Sequence, residues 1–376
     1  MSRSFGDCDP TGSFDPPGGA VSVEKLTCDR FYFEGSNVVN TTSLVKYAGA
    51  LVALAICSAC AGGSAVAPSN AALNGRYIGR TLFVNGMPVT AARPNLSALP
   101  RYATLVPDRH ANSKHFEYII NFYGTYASIF DYPRSDKQIG TINNVGGQGC
   151  TNVLHGYGKK TFWIVAAYNQ ITEYKVPQTP IKTLSVSDGS MPSSCAMDQA
   201  GDLAVGILTG PSTGDIDIYP NASGSGTFIA TPLAREYFDG YDNKGNLFFD
   251  GFTGGFAFQL DELPKGSSKV QTITTSNTVE FPGSVQWDGT YLTVFDQLAN
   301  NMYQYTISGT KATLKGTVSF AGSNDCAQTW IAEGVVYCGD AGNDNGEVFK
   351  YPAGGSPIAV FTGNFDEPLG TVAAKR

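Results

Sequence analysis

The chain has 376 residues and a formal net charge of −7, and this acidic balance argues against a nucleic-acid partner, which would need a basic surface. Charged residues make up only 15% of the chain, whereas it contains 44 glycines, 22 phenylalanines and 19 tyrosines. Few charges, many turn-forming residues and many aromatic residues favour an all-β protein over a helical one.

The most apolar segment begins at Lys46. Its uninterrupted apolar stretch, residues 47–56, is about half of the ~20 residues that a membrane-spanning helix needs. A lysine, a short apolar core and then small residues form the layout of a secretory signal peptide, which we place at residues 45–60. A buried core helix is the alternative interpretation.

The end of this segment, "SACAGGS", resembles a bacterial lipobox. The resemblance implies cleavage before Cys60 and attachment of lipid to the Cys60 thiol, with Cys57 as a second candidate. We therefore expect an exported protein of the bacterial cell envelope, held at the membrane by its lipid or secreted.

The residues before the signal peptide, 1–44, are rich in Gly, Pro and Ser and have no sustained periodicity. Because a signal peptide begins a translated chain, we expect translation to start near Leu44 or Val45, which makes 1–44 a non-native or disordered leader. Residues 61–109 are expected to be a flexible tether with an accessory hairpin across Asn85 and Gly86, followed by a folded domain at 110–376.

Six similar phrases recur between residues 128 and 361. Each consists of an alternating strand that ends in an aromatic residue, a turn rich in Pro, Gly or Ser, and a second strand. The aromatic residues follow one another at intervals of 39 to 47 residues, which is the length of one four-stranded propeller blade. These aromatic anchors are Tyr132, Tyr174, Tyr219, Phe258, Tyr305 and Tyr351.

The upstream phrases complete most of the repeats. Five of the units read as four strands each, and they start near Cys150, Cys195, Phe238, Ser284 and Cys326. The first unit has three predicted strands, at 115–122, 127–132 and 138–142, and lacks an innermost one.

The last phrase of the chain, "FDEPLGTVAAKR", begins a strand and then stops. We predict that residues 370–374 return to pair with the strand around 116–122, which completes the first blade. The prediction is thus an all-β, six-bladed β-propeller of four-stranded blades whose ring is closed by the C-terminal strand. A seven-bladed ring that uses residues 74–108 is the alternative, whereas a β-sandwich would not explain equal units.

Two phrases, "VVYCGDAGNDNGEVFKY" and "LTVFDQLANNMYQY", resemble the core of NHL-type repeats, in which an Asp ends the second strand and Asn residues follow. The resemblance covers roughly residues 110–376 and implies fold more than function. The fourth unit departs from it, because "FFDGFTGGFAF" has glycines in place of the Asn-bearing loop. We expect Asp340 to bind backbone groups rather than calcium, since the order of EF-hand ligands fails at Gly342.

Four cysteines follow the lipobox, without the C-x-x-C spacing typical of zinc. In an exported protein an even number indicates disulfides. Cys326 and Cys338 flank a predicted hairpin turn, whereas Cys150 and Cys195 occupy equivalent innermost strands of neighbouring units. We predict both disulfides, with buried free thiols as the alternative.

The sequence offers little for nucleophilic catalysis. It lacks a G-x-S-x-G motif, and we expect structural roles for its three histidines, His110, His115 and His155. The phrase "SGSGTF" lacks the lysine of a phosphate-binding loop.

Acidic residues mark the segments that lead into the innermost strands: Asp239, Glu280, Asp325 and Glu367. In a propeller these segments gather around the channel mouth, where four acids would bind a divalent cation such as Ca²⁺ or a cationic ligand, or form a solvated rim. Their position resembles the acidic site of metal-dependent sugar lactonases of the senescence-marker type, which implies a hydrolase, and streptogramin-lyase-like propellers imply a lyase. We expect instead a non-enzymatic, lipid-anchored binding or scaffold module without a cofactor, whose protein or small-molecule partner binds at the channel mouth.

Overall fold

The computed structural model describes residues 76–78, 81–84, 87–88, 115–122, 124–166, 169–186, 191–209 and 213–376. The predicted leader, the signal peptide with Cys57 and Cys60, and His110 all lie outside these ranges. Within them, no helix has the length and apolar character of a membrane span.

A small three-stranded sheet precedes the main body of strands. Val84 of one strand pairs with Met87 of the next, and the predicted turn residues Asn85 and Gly86 lie outside the described residues. Its strands are β1 (Arg76–Ile78), β2 (Thr81–Val84) and β3 (Met87–Pro88).

The other strands form four-stranded antiparallel units, which we number in chain order. Unit 1 contains β4 (His115–Asn121), β5 (Tyr126–Phe130) and β6 (Gln138–Asn143). Unit 2 contains β7 (Val145–Cys150), β8 (Thr161–Ala166), β9 (Gln170–Lys175) and β10 (Thr179–Ser185). Unit 3 contains β11 (Met191–Met197), β12 (Leu203–Thr209), β13 (Thr213–Tyr219) and β14 (Thr227–Ala230), with a 3-10 turn at Pro220–Ala222.

The remaining units follow the same order. Unit 4 contains β15 (Arg235–Tyr241), β16 (Leu247–Phe252), β17 (Phe258–Leu263) and β18 (Gln271–Thr275). Unit 5 contains β19 (Val285–Trp287), β20 (Leu292–Asp296), β21 (Asn301–Ser308) and β22 (Lys311–Ser319). Unit 6 contains β23 (Cys326–Ala332), β24 (Val335–Asp340), β25 (Asn345–Lys350) and β26 (Ala359–Phe361).

The last strand, β27 (Pro368–Lys375), belongs to unit 1. It pairs antiparallel with β4, with Val372 opposite Tyr118 and Ala374 opposite Phe116, so the predicted return of the C-terminal strand is confirmed. Units 4 and 5 are also joined, because β18 and β22 pair in parallel and form one eight-stranded sheet.

The hydrophobic core is divided among the spaces between neighbouring units. Phe162 of unit 2 packs with Tyr118 of unit 1, and Phe349 of unit 6 packs with Phe295 of unit 5. Tyr337 of unit 6 shares a cluster with buried residues of unit 1. The first strands of units 2 to 5 contact one another in order, and β20 of unit 5 contacts β23 of unit 6. The series of contacts returns from β23 through β27 to β7. The chain is therefore an all-β protein whose four-stranded blades are arranged as in a propeller.

Several boundaries differ from the sequence prediction. Units 3 and 4 begin at Met191 and Arg235, before the predicted starts near Cys195 and Phe238. Unit 2 starts at Val145 rather than near Cys150. Its first strand is rich in glycine and therefore lacks the alternation of apolar and polar residues that predicts a strand. The glycines are needed for close packing, since a Cβ at Gly147 would lie 2.5 Å from a methyl carbon of Val165. Phe258 begins β17 instead of ending it, so Leu263 takes the place of the aromatic anchor in unit 4.

Cutting the chain after Gly363 removes β27 and leaves one edge of β4 without its partner. We expect aggregation or a large fall in melting temperature, because backbone donors and the buried faces of Tyr118 and Ile120 would be uncovered. Circular dichroism melting and size-exclusion chromatography measure this. Deletion of Arg376 alone, which lies after β27, is the control. A shortened protein that stays monomeric and melts within a few degrees of the full chain would contradict the closure.

Candidate functional site

Three buried glutamines occupy the innermost strands, where the units meet around the axis: Gln148, Gln286 and Gln328. The Gln328 carboxamide donates to the carbonyl oxygen of Gly149 at 2.8 Å and accepts from the Thr371 N–H at 2.8 Å. It also accepts from the Gly149 N–H at 3.2 Å. One side chain of unit 6 therefore binds the backbones of units 1 and 2.

The other two glutamines make similar connections. The Gln286 side chain donates to the Leu154 carbonyl at 3.0 Å and accepts from the Ile331 N–H at 2.9 Å. Gln148 of unit 2 donates to the Tyr237 carbonyl of unit 4 at 3.1 Å. The axis is thus filled by hydrogen bonds between units. These glutamines were not predicted from the sequence, although a polar side chain inside an otherwise apolar innermost strand indicates a buried hydrogen-bonding role.

One end of the axis is covered by the segment between β7 and β8, residues 151–160. Its Gly156 N–H donates to the Ile331 carbonyl at 2.8 Å, and the Trp330 indole donates to the Gly156 carbonyl at 2.8 Å. Gly158 pairs with the C-terminal strand, donating to the Ala373 carbonyl at 3.1 Å. A loop of unit 2 therefore contacts units 1 and 6 across the end of the channel.

The space that remains at the axis is small. It is a cavity of about 30 Å³ that is bordered by Gln148, Asp239, Gln286 and Gln328 among other residues. A cavity of this size holds roughly one or two water molecules. In this conformation it does not admit a sugar or another organic substrate.

The four predicted acids do not share one environment. Asp239 lies inside β15 and is buried, rather than in the segment before the strand as we predicted. Glu280 is exposed in the segment before β19. Asp325 and Glu367 lie in the corresponding segments before β23 and β27, and both are buried. The described contacts do not bring the four side chains together.

Aspartates at the ends of second strands bind the backbone of two kinds of loop, those that lead into third strands and those that lead from one unit to the next. Asp340 accepts from the Asn324 N–H at 2.8 Å, the Asp325 N–H at 3.1 Å and the Asn343 N–H at 3.0 Å. This confirms the expected backbone role of Asp340. Asp296 does the same in unit 5, where it accepts from the Glu280 N–H at 2.8 Å.

One group of side chains has the spacing of metal ligands. Cys326 Sγ and carboxylate oxygens of Asp340 and Glu347 lie within 4.8 Å of one another. However, Cys326 is bonded to Cys338, and Asp340 already accepts hydrogen bonds from the backbone. These two occupied ligands leave a poor donor set for a cation.

A second group of buried acids lies between units 3 and 4. Glu236 accepts hydrogen bonds from Ser193 Oγ at 2.7 Å and Ser194 Oγ at 3.0 Å. Burial raises the pKa of Glu236 to about 8, although these hydroxyls favour its charged form. The pKa of Asp239 is also raised well above its usual value, first by burial and then by the nearby Glu236. Protonated carboxyls are the form that this interior favours at neutral pH.

The described histidines have the structural settings that we expected. His115 is buried, with its ring stacked on Tyr157 at a centroid distance of 3.7 Å, and burial lowers its pKa to about 4. His155 is exposed in the loop that covers the channel. A neutral, stacked imidazole such as His115 is a packing group.

Both predicted disulfides are present. The Cys150–Cys195 bond joins the innermost strands of units 2 and 3, and the Cys326–Cys338 bond joins β23 to β24. The first bond connects two blades directly, and the second fastens one hairpin.

Comparison with known proteins adds to the fold and leaves the function open. No family model and no curated protein matches the chain. A crystal structure of a protein of unknown function from Bacteroides caccae has a TM-score of 0.53 at 12% identity, covering 70% of this chain and 100% of that one. The chain is a β-propeller. A chain from the crystal structure of a nidogen/laminin complex is also similar, with a TM-score of 0.51 at 9% identity, covering 69% of this chain and 98% of that one.

The buried acids predict an unusual pH dependence. Burial raises the pKa of Glu236 from 4.5 to about 8, so the folded chain holds this proton more tightly than the unfolded chain. The free energy of unfolding should therefore fall as the pH rises from about 5 to about 8, by up to about 1.4 kcal/mol per pH unit for this group. Urea denaturation at several pH values across that range measures the slope.

The variant Glu236→Gln should make this slope shallower, because its side chain carries no titrating proton. Glu280→Gln, at an exposed glutamate, is the matched control and should keep the wild-type slope. A wild-type protein that becomes more stable as the pH rises through this window would refute the protonated interior.

Proposed function

We propose that this chain is a binding or scaffold module of the bacterial cell envelope, anchored by lipid at Cys60, and not an enzyme. The observation that carries the proposal is the closed axis. Hydrogen bonds from Gln148, Gln286 and Gln328 fill it, and the remaining cavity is about 30 Å³. A ring with surface loops, whose described residues border only this small cavity at the centre, suits binding by its faces.

The ring that presents these loops is, in this proposal, six-bladed. Units 4 and 5 count as two blades, because each is a complete four-stranded meander with its own innermost strand. Hydrophobic clusters between successive units, including the one between units 6 and 1, support this count. The parallel pairing of β18 with β22 is then a bridge between the outer edges of two neighbouring blades.

Export and anchoring rest on two separate arguments. The lipobox resemblance at Cys60 is a sequence argument. The two disulfides support an oxidising compartment, because such bonds persist outside the cytosol. NHL-like repeats remain part of the proposal as a likeness of two phrases, on residues 292–305 and 335–351.

The second candidate function is a metal-dependent hydrolase or lyase that uses Asp239, Glu280, Asp325 and Glu367. The buried acids Asp325 and Asp239 are the observation in its favour, since buried carboxylates occur at metal sites as well as in protonated interiors. Their separate positions count against it.

Metal content distinguishes the two functions. The purified protein should contain less than a stoichiometric amount of metal, and adding calcium should leave its melting temperature unchanged, because the acids are not grouped around one site. Elemental analysis and a calcium titration of thermal unfolding measure this. The Glu333→Gln variant, which changes an exposed glutamate in the turn between β23 and β24, serves as control for exposed carboxylates. One tightly held metal ion per chain would favour the hydrolase or lyase.

The anchor has its own test. Replacing Cys60 by Ser should leave the melting temperature of the propeller unchanged but release the protein from membranes, because the acyl chains alone hold it there. Fractionation of cells into membrane and soluble parts measures the release, and Cys57→Ser is the matched control. A Cys60→Ser protein that stays in the membrane fraction would rule out this lipobox.

A further inference from the structure

The two ends of the antiparallel units carry different charges. We use the name loop face for the end where second strands lead into third strands and where one unit leads into the next. In its described loops every charged residue is acidic: Glu280 is exposed, Asp344 and Asp366 are half-buried, and Asp325 and Glu367 are buried. The described turns at the opposite end contain basic residues in addition to acids. These basic residues are Arg134, Lys137, Lys159, Lys160, Lys244, Lys265 and Lys269.

The loop face also exposes two large apolar side chains. Phe256 is 46% exposed in the loop between β16 and β17, and Leu298 is 45% exposed in the loop between β20 and β21. These loops belong to units 4 and 5, which are neighbours in one sheet. Phe256 has a backbone φ of 60°, a conformation that favours glycine, so the chain holds an aromatic residue in an unfavourable geometry at an exposed tip.

We infer that the loop face binds a basic, amphipathic segment of a partner protein. Lysine or arginine side chains of the segment would meet the acidic loops around Glu280, and its apolar side chains would cover Phe256 and Leu298. This inference rests on the proposed binding function and names the chemistry of the partner.

Charge complementarity selects this occupant over others. A face whose described loops contain acids and lack Lys, Arg and His repels nucleic acids and anionic lipid surfaces. A free metal ion would not cover Phe256 and Leu298, and an uncharged peptide would leave the acids unused. An exposed charge such as that of Glu280 mainly raises the association rate and makes binding sensitive to salt.

The test uses the full chain and three labelled synthetic peptides. The peptides share the same leucines and phenylalanines and carry lysine, glutamine or glutamate at all polar positions. Fluorescence anisotropy should show that the lysine peptide binds and that binding weakens with added salt. Glu280→Lys and Phe256→Ser should each weaken it at least fivefold.

Two controls lie away from the loop face. Glu333→Lys changes an exposed glutamate in the turn between β23 and β24, at the opposite end. Phe228→Ser changes a phenylalanine that is 52% exposed on β14, the outermost strand of unit 3. Both should change the dissociation constant less than twofold. If Glu280→Lys and Glu333→Lys weaken binding equally, binding depends on the net charge of the protein and not on the loop face, and the inference is overturned.

The remaining outcomes separate this inference from the proposed function. If the glutamine or glutamate peptide binds best and depends on Phe256, the face is a binding site but its partner is not basic, so only the inference fails. If none of the peptides binds, the inference fails and the case for binding by this face fails with it.

Discussion

The structure depends on the pairing of β27, the last strand, with β4 of unit 1. β27 lies between β4 of its own unit and the innermost strands of units 2 and 6, with Val372 and Ala373 fully buried. Each of the other units is formed by a continuous stretch of chain, so only unit 1 needs distant segments. The hydrophobic clusters on both sides of unit 1 therefore exist only when this pairing is made.

The glutamines at the axis make the closure specific. An apolar side chain in place of Gln328 would preserve packing but leave the backbone N–H groups of Gly149 and Thr371 without an acceptor. An unsatisfied buried donor costs about 1–3 kcal/mol, so the network favours one register of the innermost strands over its neighbours. Residues 151–160 add backbone hydrogen bonds at one end of the same axis. Position and polarity, rather than apolar area alone, thus fix how the units face one another.

The sequence predicted the periodic parts of this architecture well. Strand alternation placed β4, β5 and β6, and the unfinished phrase at the end of the chain located β27, because both signals depend on local pattern. The Cys150–Cys195 disulfide followed from equivalent positions in neighbouring units, and the Cys326–Cys338 disulfide followed from a predicted hairpin turn. Prediction was weaker where glycine replaces β-forming residues, as in β7, since the reason for Gly147 is the side chain of Val165 on the neighbouring strand.

The candidate site was harder to predict, because burial is not a local property. Asp239 reads as a loop acid in the sequence but lies within β15. The role of Gln286 depends on Leu154 and Ile331, which lie 132 and 45 positions away along the chain. The loop between β7 and β8 looks like an ordinary polar turn until Gly156 is seen to bind Trp330, 174 positions later. Contacts of this range leave no periodic trace in a single sequence.

The separation of β4 and β27 along the chain also sets how long β4 remains without its partner during synthesis. Thr371 on β27 follows Glu117 on β4 by 254 positions, and their side chains are hydrogen-bonded. At a synthesis rate of ~5–20 residues per second, β4 waits about 13–50 s for its neighbour. Throughout that interval the nascent chain carries an open strand edge, and the units that have already been synthesised cannot close into a ring. Arrival of β27 is therefore the event that commits the polypeptide to its native topology, and a chain released before β27 is made is the species that quality control must recognise.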